Sequence, residues 1–200
     1  MTKSYKAEID PVKDQVNKIN RSIGVCRFLY NRYIHINKQL YESIKHLGLR
    51  YIIKSFWSAY DFDKYVNNIL SKQEGYEWIL DAPAKARKKA ICNAEVAFKK
   101  FFSKKSKYPR FKKKSRQDIT LYFARSNKGD FKVDRHRIRI PTIGYVRLKE
   151  KGYIPKGIIK SCTMSVRGDR YYISVLIDVN IGHTIETSNP IGIDLGIKNL

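Results

Sequence analysis

The sequence is poor in acidic residues, in paired cysteines and in long apolar runs. It has 18 Asp and Glu against 41 Lys and Arg, which gives a formal net charge of +23. An excess of this size predicts a polyanionic partner, nucleic acid before a membrane surface. Aromatic residues nevertheless make up 12% of the chain, whereas basic disordered tails carry few of them. The chain is therefore expected to fold, and its 200 residues allow one sizeable core or two small ones.

The three cysteines, Cys26, Cys92 and Cys162, are odd in number and widely spaced. Because no Cys-x-x-Cys pair occurs, they fit reduced, buried thiols of a cytosolic protein better than a disulfide framework or a zinc site. The four histidines are equally scattered, and a structural role is expected for each. No apolar stretch is long enough to span a bilayer, and the N-terminus shows no signal-peptide pattern. These features favour a cytoplasmic protein with no membrane partner and no small-molecule substrate.

The first part of the chain has the period of a helix. After a short strand at residues 4–9, Asp10 and Pro11 predict a helix start, with an acceptor at the cap and proline in the first turn. Apolar residues then recur at steps of four and three as far as Leu47. Gly48 is expected to end this helix.

Two more helices are predicted before residue 103. A short amphipathic one runs from Phe62 to Leu70, and a longer one with regularly spaced alanines follows Pro83. Residues 49–60 fit no single pattern. The aromatic residues Tyr30 and Tyr33 of the first helix are expected to pack in its core. Three helices with much positive charge fit either a nucleic-acid recognition lobe or a plain bundle.

A strongly basic run follows the third helix. Ten of the eighteen residues 99–116 are Lys or Arg and none is acidic. The alternative to a binding role is a solvated linker, but two aromatic residues interleave with the cations and could stack on bases. The predicted nucleic-acid-binding residues are Lys99, Lys100, Lys104, Lys105, Lys107, Tyr108, Arg110, Phe111, Lys112, Lys113, Lys114 and Arg116.

From Gln117 onward the apolar period changes from about 3.6 to two. Short alternating stretches are separated by turn signals, such as 127–130 and the hairpin turn at 167–170. Strands of this length and spacing predict a small antiparallel barrel or sandwich. A polar stretch at 181–190 then forms a linker.

The last stretch contains one carboxylate, Asp194, among apolar neighbours. Ile191, Ile193 and Leu195 alternate as a buried strand would. An unpaired charge in such a place is costly, so the carboxylate is expected to meet a metal ion, a phosphate or a cation. The alternative is an aspartate that hydrogen-bonds its own turn.

The stretch Gly-Ile-Asp-Leu-Gly-Ile-Lys-Asn-Leu at 192–200 resembles the first motif of a RuvC-type nuclease domain in the TnpB (OrfB) family. Members of this family are insertion-sequence-encoded, RNA-guided DNA endonucleases related to type V CRISPR effectors. Three further stretches also resemble the family: residues 27–31 with Pro11 and Gln15 before them, residues 108–112 with 97–98 and 101–102 before them, and residues 138–147. Actin-like ATPases open with nearly the same letters as residues 192–196. In them, however, the motif usually lies near the start of the chain and precedes a phosphate-handling Thr or Ser.

The resemblance implies an α+β fold. It would comprise a small antiparallel oligonucleotide-binding-like (wedge) β-barrel, an inserted helical recognition bundle, and the first strand of a ribonuclease-H-like (RuvC) domain. The implied segments are residues 1–10 for the first barrel strand, 11–103 for the helical recognition lobe with a helix-turn-helix, 104–180 for the barrel, 181–190 for the linker and 191–200 for the first strand of a truncated nuclease domain.

The resemblance also implies a function. RuvC-type cleavage uses two divalent ions held by carboxylates, and Asp194 would be the first Mg²⁺ ligand. The family's other carboxylates and its zinc ribbon belong to later motifs that these 200 residues lack. We therefore expect a part of an RNA-guided DNA endonuclease that binds guide RNA and target DNA but does not cleave by itself. The alternative is a non-enzymatic helix-turn-helix DNA-binding regulator.

Overall fold

The computed structural model describes residues 1–114, 120–127 and 129–179. The helices are α1 (Lys13–Ile44), α2 (Leu49–Ser55), α3 (Ala59–Asn68) and α4 (Ala84–Phe102), with 3₁₀ turns at Lys45–Leu47, Leu70–Lys72 and Glu77–Asp81. The strands are β1 (Thr2–Asp10), β2 (Leu121–Ala124), β3 (Lys132–Asp134), β4 (Arg137–Ile140), β5 (Gly144–Leu148), β6 (Ile158–Arg167) and β7 (Arg170–Asp178). The predicted α+β class is confirmed, and the elements change from helix to strand where the apolar period changes.

The strands form one seven-stranded antiparallel sheet in the order β2-β6-β7-β1-β5-β4-β3. The first strand therefore lies inside the sheet, between β7 and β5, as its predicted pairing requires. Thr2 faces Asp178 at one end of β1, and Ile9 faces Leu148 near the other. Over the described residues the sheet is open, with β2 and β3 at its edges. Its closure into a wedge barrel stays a prediction, and residues 191–200 lie outside the described part.

Alternation along the strands produces the first of two cores. Ile173, Val175 and Ile177 of β7 are fully buried with the inward residues of the neighbouring strands. Helices α1 and α4 contribute to this core, and one of their buried residues is Cys26. Burial raises the pKa of Cys26 to about 12 and also raises that of Cys162. The three cysteines are free thiols, and Cys26 and Cys162 are buried as the sequence predicts, whereas Cys92 is only partly buried.

The second core lies among the helices. The buried residues of α1 recur at steps of three and four, and several of them pack with apolar residues of α3 and α4. Tyr33 is 1% exposed, and its ring centroid lies 5.4 Å from that of the fully buried Phe62. Tyr30 is buried as well, so both tyrosines pack as predicted. No helix in the described part of the chain is long and apolar enough to cross a bilayer.

The start of α1 differs from the prediction. Asp10 does not cap the helix, because it is the last residue of β1 and pairs with Arg147 of β5. The helix begins at Lys13, and the Val12 N–H donates to the Gln15 side chain at 3.1 Å. The Gln15 amide also donates to the Tyr145 carbonyl oxygen at 2.7 Å. One side chain therefore supports the first turn of α1 and fastens it to the sheet.

Candidate nucleic-acid interface

Residues 108–114 run along α1 without regular secondary structure and are fastened to it by one amide side chain. Asn31 Nδ2 donates to the Lys112 carbonyl oxygen at 2.9 Å, and the Lys112 N–H donates to Asn31 Oδ1 at 2.8 Å. Both main-chain groups of Lys112 are satisfied as a neighbouring strand would satisfy them. Asn31 thereby fixes the basic segment on the helix.

The Tyr108 ring holds the start of this segment in an aromatic cluster. Its centroid lies 5.0 Å from that of Phe101 and 5.7 Å from that of Phe98. The ring of Tyr41 on α1 lies 5.8 Å away on another side. Burial, followed by the nearby Glu42 carboxylate, raises the pKa of Tyr108 to about 12. The sequence predicts that this ring stacks on a base, whereas in the structure it packs among rings of the protein.

Lys112 is also drawn toward the protein. Its Nζ lies 4.7 Å from the centroid of the Tyr30 ring, a distance at which a cation and a ring attract each other. Burial lowers the pKa of Lys112. Lys112, which the sequence predicts to contact nucleic acid, therefore packs against α1 and does not line the groove that opens between the segment and this helix.

A groove of about 560 Å³ opens between the segment and α1. Phe111 projects into it and is 43% exposed. Phe111 and Lys38 also border a second hollow of about 550 Å³ further along α1, which reaches His35. An accessible ring flanked by cations combines a stacking surface with phosphate contacts. We call the first of these cavities the α1 groove. The residues that line it are Ile34, Lys38, Tyr108, Pro109, Arg110, Phe111 and Lys113.

Glu42 is the carboxylate among the residues that line the second hollow. Lys45 Nζ lies 2.8 Å from Glu42 Oε2, and this hydrogen bond lowers the pKa of Glu42. An exposed pair of this kind adds little to stability. Its consequence for the groove is electrostatic, since Lys45 balances the charge that would oppose a bound phosphate.

Other predicted contact residues lie on exposed surface beyond the groove. Lys99 and Lys100 lie in the last turn of α4, where cations interact favourably with the helix dipole. Lys104, Lys105 and Lys107 are exposed in the turn that follows. Together they extend the positive charge of the groove toward the end of α4.

Comparisons with known proteins show what the chain is similar to. A family model of the OrfB type, described as a helix-turn-helix domain, matches residues 1–46. The "Putative RNA-guided DNA endonuclease InsQ" of Escherichia coli (strain K12) is 25% identical over 202 aligned residues, which cover 98% of this chain. The chain belongs to the OrfB (TnpB) family. A second relative of this OrfB-family chain, a "Putative RNA-guided DNA endonuclease" of Streptomyces pristinaespiralis, is 22% identical over 99% of the chain.

The OrfB-family chain spans about half the length of these two relatives, 46% and 47%. The virulence protein VsdF of Salmonella dublin is 32% identical over 119 residues, which cover 57% of this chain and 95% of VsdF. The helix-turn-helix match at 1–46 corresponds in the structure to β1, the whole of α1 and the start of its 3₁₀ turn. Gly48, with a φ of 87°, then turns the OrfB-family chain into the seven-residue helix α2.

The α1 groove and the second hollow beside it include residues that the sequence did not indicate. Lys38 and His35 belong to α1, about seventy residues before the basic run, and their contribution depends on the packing of that run against the helix. The sequence contains one indication of this packing, the polar residue Asn31. It lies between Tyr30 and Arg32 near the apolar stripe of α1, where a polar amide requires a hydrogen-bond partner.

Two predicted site residues of the OrfB-family chain, Arg116 and Asp194, lie outside the described residues. Lys114 is exposed at the end of the described segment. Within residues 1–114, 120–127 and 129–179, no group of three His, Cys, Asp or Glu side chains could hold a metal ion. These described residues therefore do not fit a catalytic metal pair.

Proposed function

We propose that this OrfB-family chain binds nucleic acid through the α1 groove, as part of an RNA-guided DNA endonuclease that holds a guide RNA and target DNA. The observation that carries the proposal is the exposed Phe111 ring between the cations Lys38, Arg110 and Lys113. The names of the two full-length relatives and the net charge of +23 support it.

The chemistry of the groove suits a sugar–phosphate backbone with accessible bases. Each Lys or Arg that neutralises a phosphate releases condensed counterions, which gives affinity without regard to sequence. An aromatic ring adds stacking that tolerates any base. The α1 groove offers both on a segment that Asn31 and Tyr108 hold in place, so little ordering is required on binding.

We further propose roles for the sheet and for the four helices. The sheet would serve as the oligonucleotide-binding wedge barrel, and α1–α4 would form the recognition lobe inserted after its first strand. The order of elements supports this assignment, because β1 precedes the four helices and β2–β7 follow them in the same sheet. Residues 191–200 would supply the first strand of the nuclease domain.

We also propose that Asp194 supplies one Mg²⁺ ligand in the complete nuclease. Bound Mg²⁺ would activate water and stabilise the leaving oxygen. Since the proposed role of Asp194 is catalytic, Asp194→Ala should leave nucleic-acid affinity within a factor of about two. Fluorescence anisotropy of a labelled oligonucleotide with the 200-residue chain measures this, and a tenfold loss of affinity would place Asp194 in the binding surface instead.

The groove is tested by replacing Lys38, Arg110 and Lys113 with alanine. Affinity should fall, and the slope of log affinity against log salt should become less steep by about 2 to 3, since each lost phosphate contact removes 0.7 to 0.9. Lys18, Lys64 and Lys72 are exposed lysines outside the groove lining. Their triple alanine variant loses the same charge and is the matched control.

Equal losses in the two triple variants would contradict a site at the groove and leave only general electrostatic attraction. A helix-turn-helix regulator would show a different preference, for one operator duplex over structured RNA. The short α2 offers such a regulator only about two turns of helix for the major groove. Competition between a structured RNA and a duplex of equal length separates the two functions.

A further inference from the structure

The outward face of β3, β4 and β5 carries a compact group of charged residues, none of which lines the α1 groove. Side chains alternate along each strand, and neighbouring strands lie about 4.8 Å apart. The strand register places six residues on this face, termed the β3–β5 face, in two rows: Lys132, Arg139 and Tyr145 in the first and Asp134, Arg137 and Arg147 in the second.

Positive residues outnumber the carboxylates on and beside this face. Arg137 stands directly opposite Arg147, and like charges in such cross-strand pairs destabilise a sheet. Asp134 Oδ2 lies 2.8 Å from Arg137 Nε and offsets one charge, and Asp10 of β1 stands opposite Arg147 in the sheet. In the described part of the chain, no ion pair is formed by Arg147 or Lys132. The remaining excess of positive charge would attract a polyanion.

The aromatic residue of the face is accessible and held in place. Tyr145 is 39% exposed, and the Arg137 guanidinium lies 4.5 Å from its ring centroid. Its carbonyl oxygen accepts the hydrogen bond from Gln15 of α1. Arg139 Nη1 donates to the Gly129 carbonyl oxygen at 3.1 Å. The ring and two of the guanidinium groups are thus oriented before any ligand arrives.

The rest of the outward sheet surface has a different character. On β6 and β7 several of the corresponding positions are hydroxyl residues, among them Ser161, Thr163 and Ser174, whereas Arg167 and Arg170 stand opposite each other at the hairpin end. Ser174 Oγ lies 3.1 Å from Ser4 Oγ of β1. Outward cations of the sheet therefore occur on β3–β5, at the β6–β7 hairpin and at Lys6, with hydroxyl residues between them.

We propose that the β3–β5 face is a second nucleic-acid site and that it takes a single strand. Lys132, Arg139 and Arg147 would contact successive phosphates, and the Arg137–Tyr145 pair would stack an unpaired base. A guanidinium plane and a phenol ring both stack on bases, but only bases that are not enclosed in a duplex can reach them. This chemistry favours unpaired RNA or DNA over duplex.

The two sites lie at different positions along α1. Gln15 contacts the β3–β5 face from the first turn of the helix, whereas Lys38 lines the α1 groove. The intervening residues of α1 rise about 35 Å. The inference shares its ligand class with the proposed function but rests on separate residues, so either can fail alone.

The test measures binding of a labelled (dT) oligomer of about 15 nucleotides and of a duplex of the same length to the 200-residue chain. Arg139→Ala with Arg147→Ala should weaken single-strand binding about tenfold at low salt and make the salt slope less steep by about 1 to 1.5. Tyr145→Leu should weaken single-strand binding about tenfold and leave duplex binding unchanged. Tyr145→Phe keeps the ring and should bind as the unsubstituted chain does.

Lys151→Ala with Lys156→Ala removes the same charge from exposed lysines between β5 and β6 and is the matched control. Losses no larger than those of this control, or equal losses for single strand and duplex, would overturn the inference. If only the α1 groove variants lose affinity, the proposed function stands and this site fails. If the unsubstituted chain binds neither probe, both fail. Melting curves verify that each variant is folded, and Arg139→Gln with Arg147→Gln replaces the alanine pair if that variant unfolds.

Discussion

At the scale of single residues, one amide determines the path of the chain between α2 and α3. Asn37 is fully buried, and its Oδ1 accepts from the Trp57 N–H at 2.9 Å. Its Nδ2 donates to the Tyr33 carbonyl oxygen at 3.3 Å, and the Tyr33 hydroxyl donates to the Trp57 carbonyl oxygen at 2.6 Å. Two side chains of α1 thus satisfy both main-chain groups of Trp57. This explains how residues 49–60, which have no clear period, acquire a fixed conformation.

We expect Asn37→Ala to lower the free energy of unfolding by about 1 to 3 kcal/mol. The change leaves the partly buried Trp57 N–H without its acceptor, and an unsatisfied donor shielded from water costs about that much. Asn68→Ala, at an exposed position at the end of α3, is the control and should change stability by no more than about 0.5 kcal/mol. Urea unfolding of the three proteins measures both, and equal midpoints would show that water replaces the Asn37 contact.

At the scale of elements, the segment after α4 has an inner and an outer aromatic residue. Tyr108 packs on Phe98 and Phe101 of α4, whereas Phe111 faces the groove. The two rings are three residues apart in a stretch without regular structure, so no period in the sequence could assign their directions. The Tyr108 hydroxyl has no hydrogen-bond partner among the described residues, which indicates that the ring itself provides the stabilisation.

The two rings should respond to substitution in opposite ways. Tyr108→Phe removes a buried hydroxyl without a partner, so stability should stay equal or rise and binding should be retained. Phe111→Ala should reduce single-strand affinity by roughly 5-fold to 100-fold through lost stacking, with little change in melting temperature. Anisotropy titrations and thermal melts of both variants measure this. A loss of binding in Tyr108→Phe with normal binding in Phe111→Ala would reverse the assignment.

At the scale of the molecule, the sequence predicted what depends on local period and missed what depends on packing. The stripe of α1 and the alternation of β7 predicted both elements and their buried faces. The contact of Lys38 with the basic run could not be predicted, because it joins residues about seventy positions apart. Arg139 and Arg147 could be seen as outward residues, but only the strand register shows that they share one face.

Acid should destabilise the whole molecule. Hydrogen bonds from Thr2 and Lys160 lower the pKa of Asp178. Burial raises the pKa of Glu95, but hydrogen bonds from Lys99 and the Ala59 N–H outweigh it, so the pKa is lower than usual. Folded-state pKa values below the unfolded ones, about 4, stabilise the fold above that pH and lose this effect as pH falls through the lowered values.

The urea midpoint should therefore be nearly constant from pH 7 to about 5.5 and should fall below about pH 4. Protonation also increases the positive charge, and added salt should recover only that repulsive part of the loss. Midpoints at pH 7, 5 and 3.5, each at low and high salt, separate the two contributions. A midpoint that rises toward pH 3.5 would contradict this account.

The central position of β1 has a consequence for the synthesis of the protein. Translation produces β1 first, but its neighbours β5 and β7 are complete only at Leu148 and Asp178. At about 5 to 20 residues per second, the ribosome needs roughly 10 to 30 s to reach the end of β7. During that interval α1–α4 can assemble their own core, while both hydrogen-bonding edges of β1 remain unpaired. Such edges invite pairing with other chains, so the yield of folded protein in the cell should depend on how fast the messenger is read between β1 and β7.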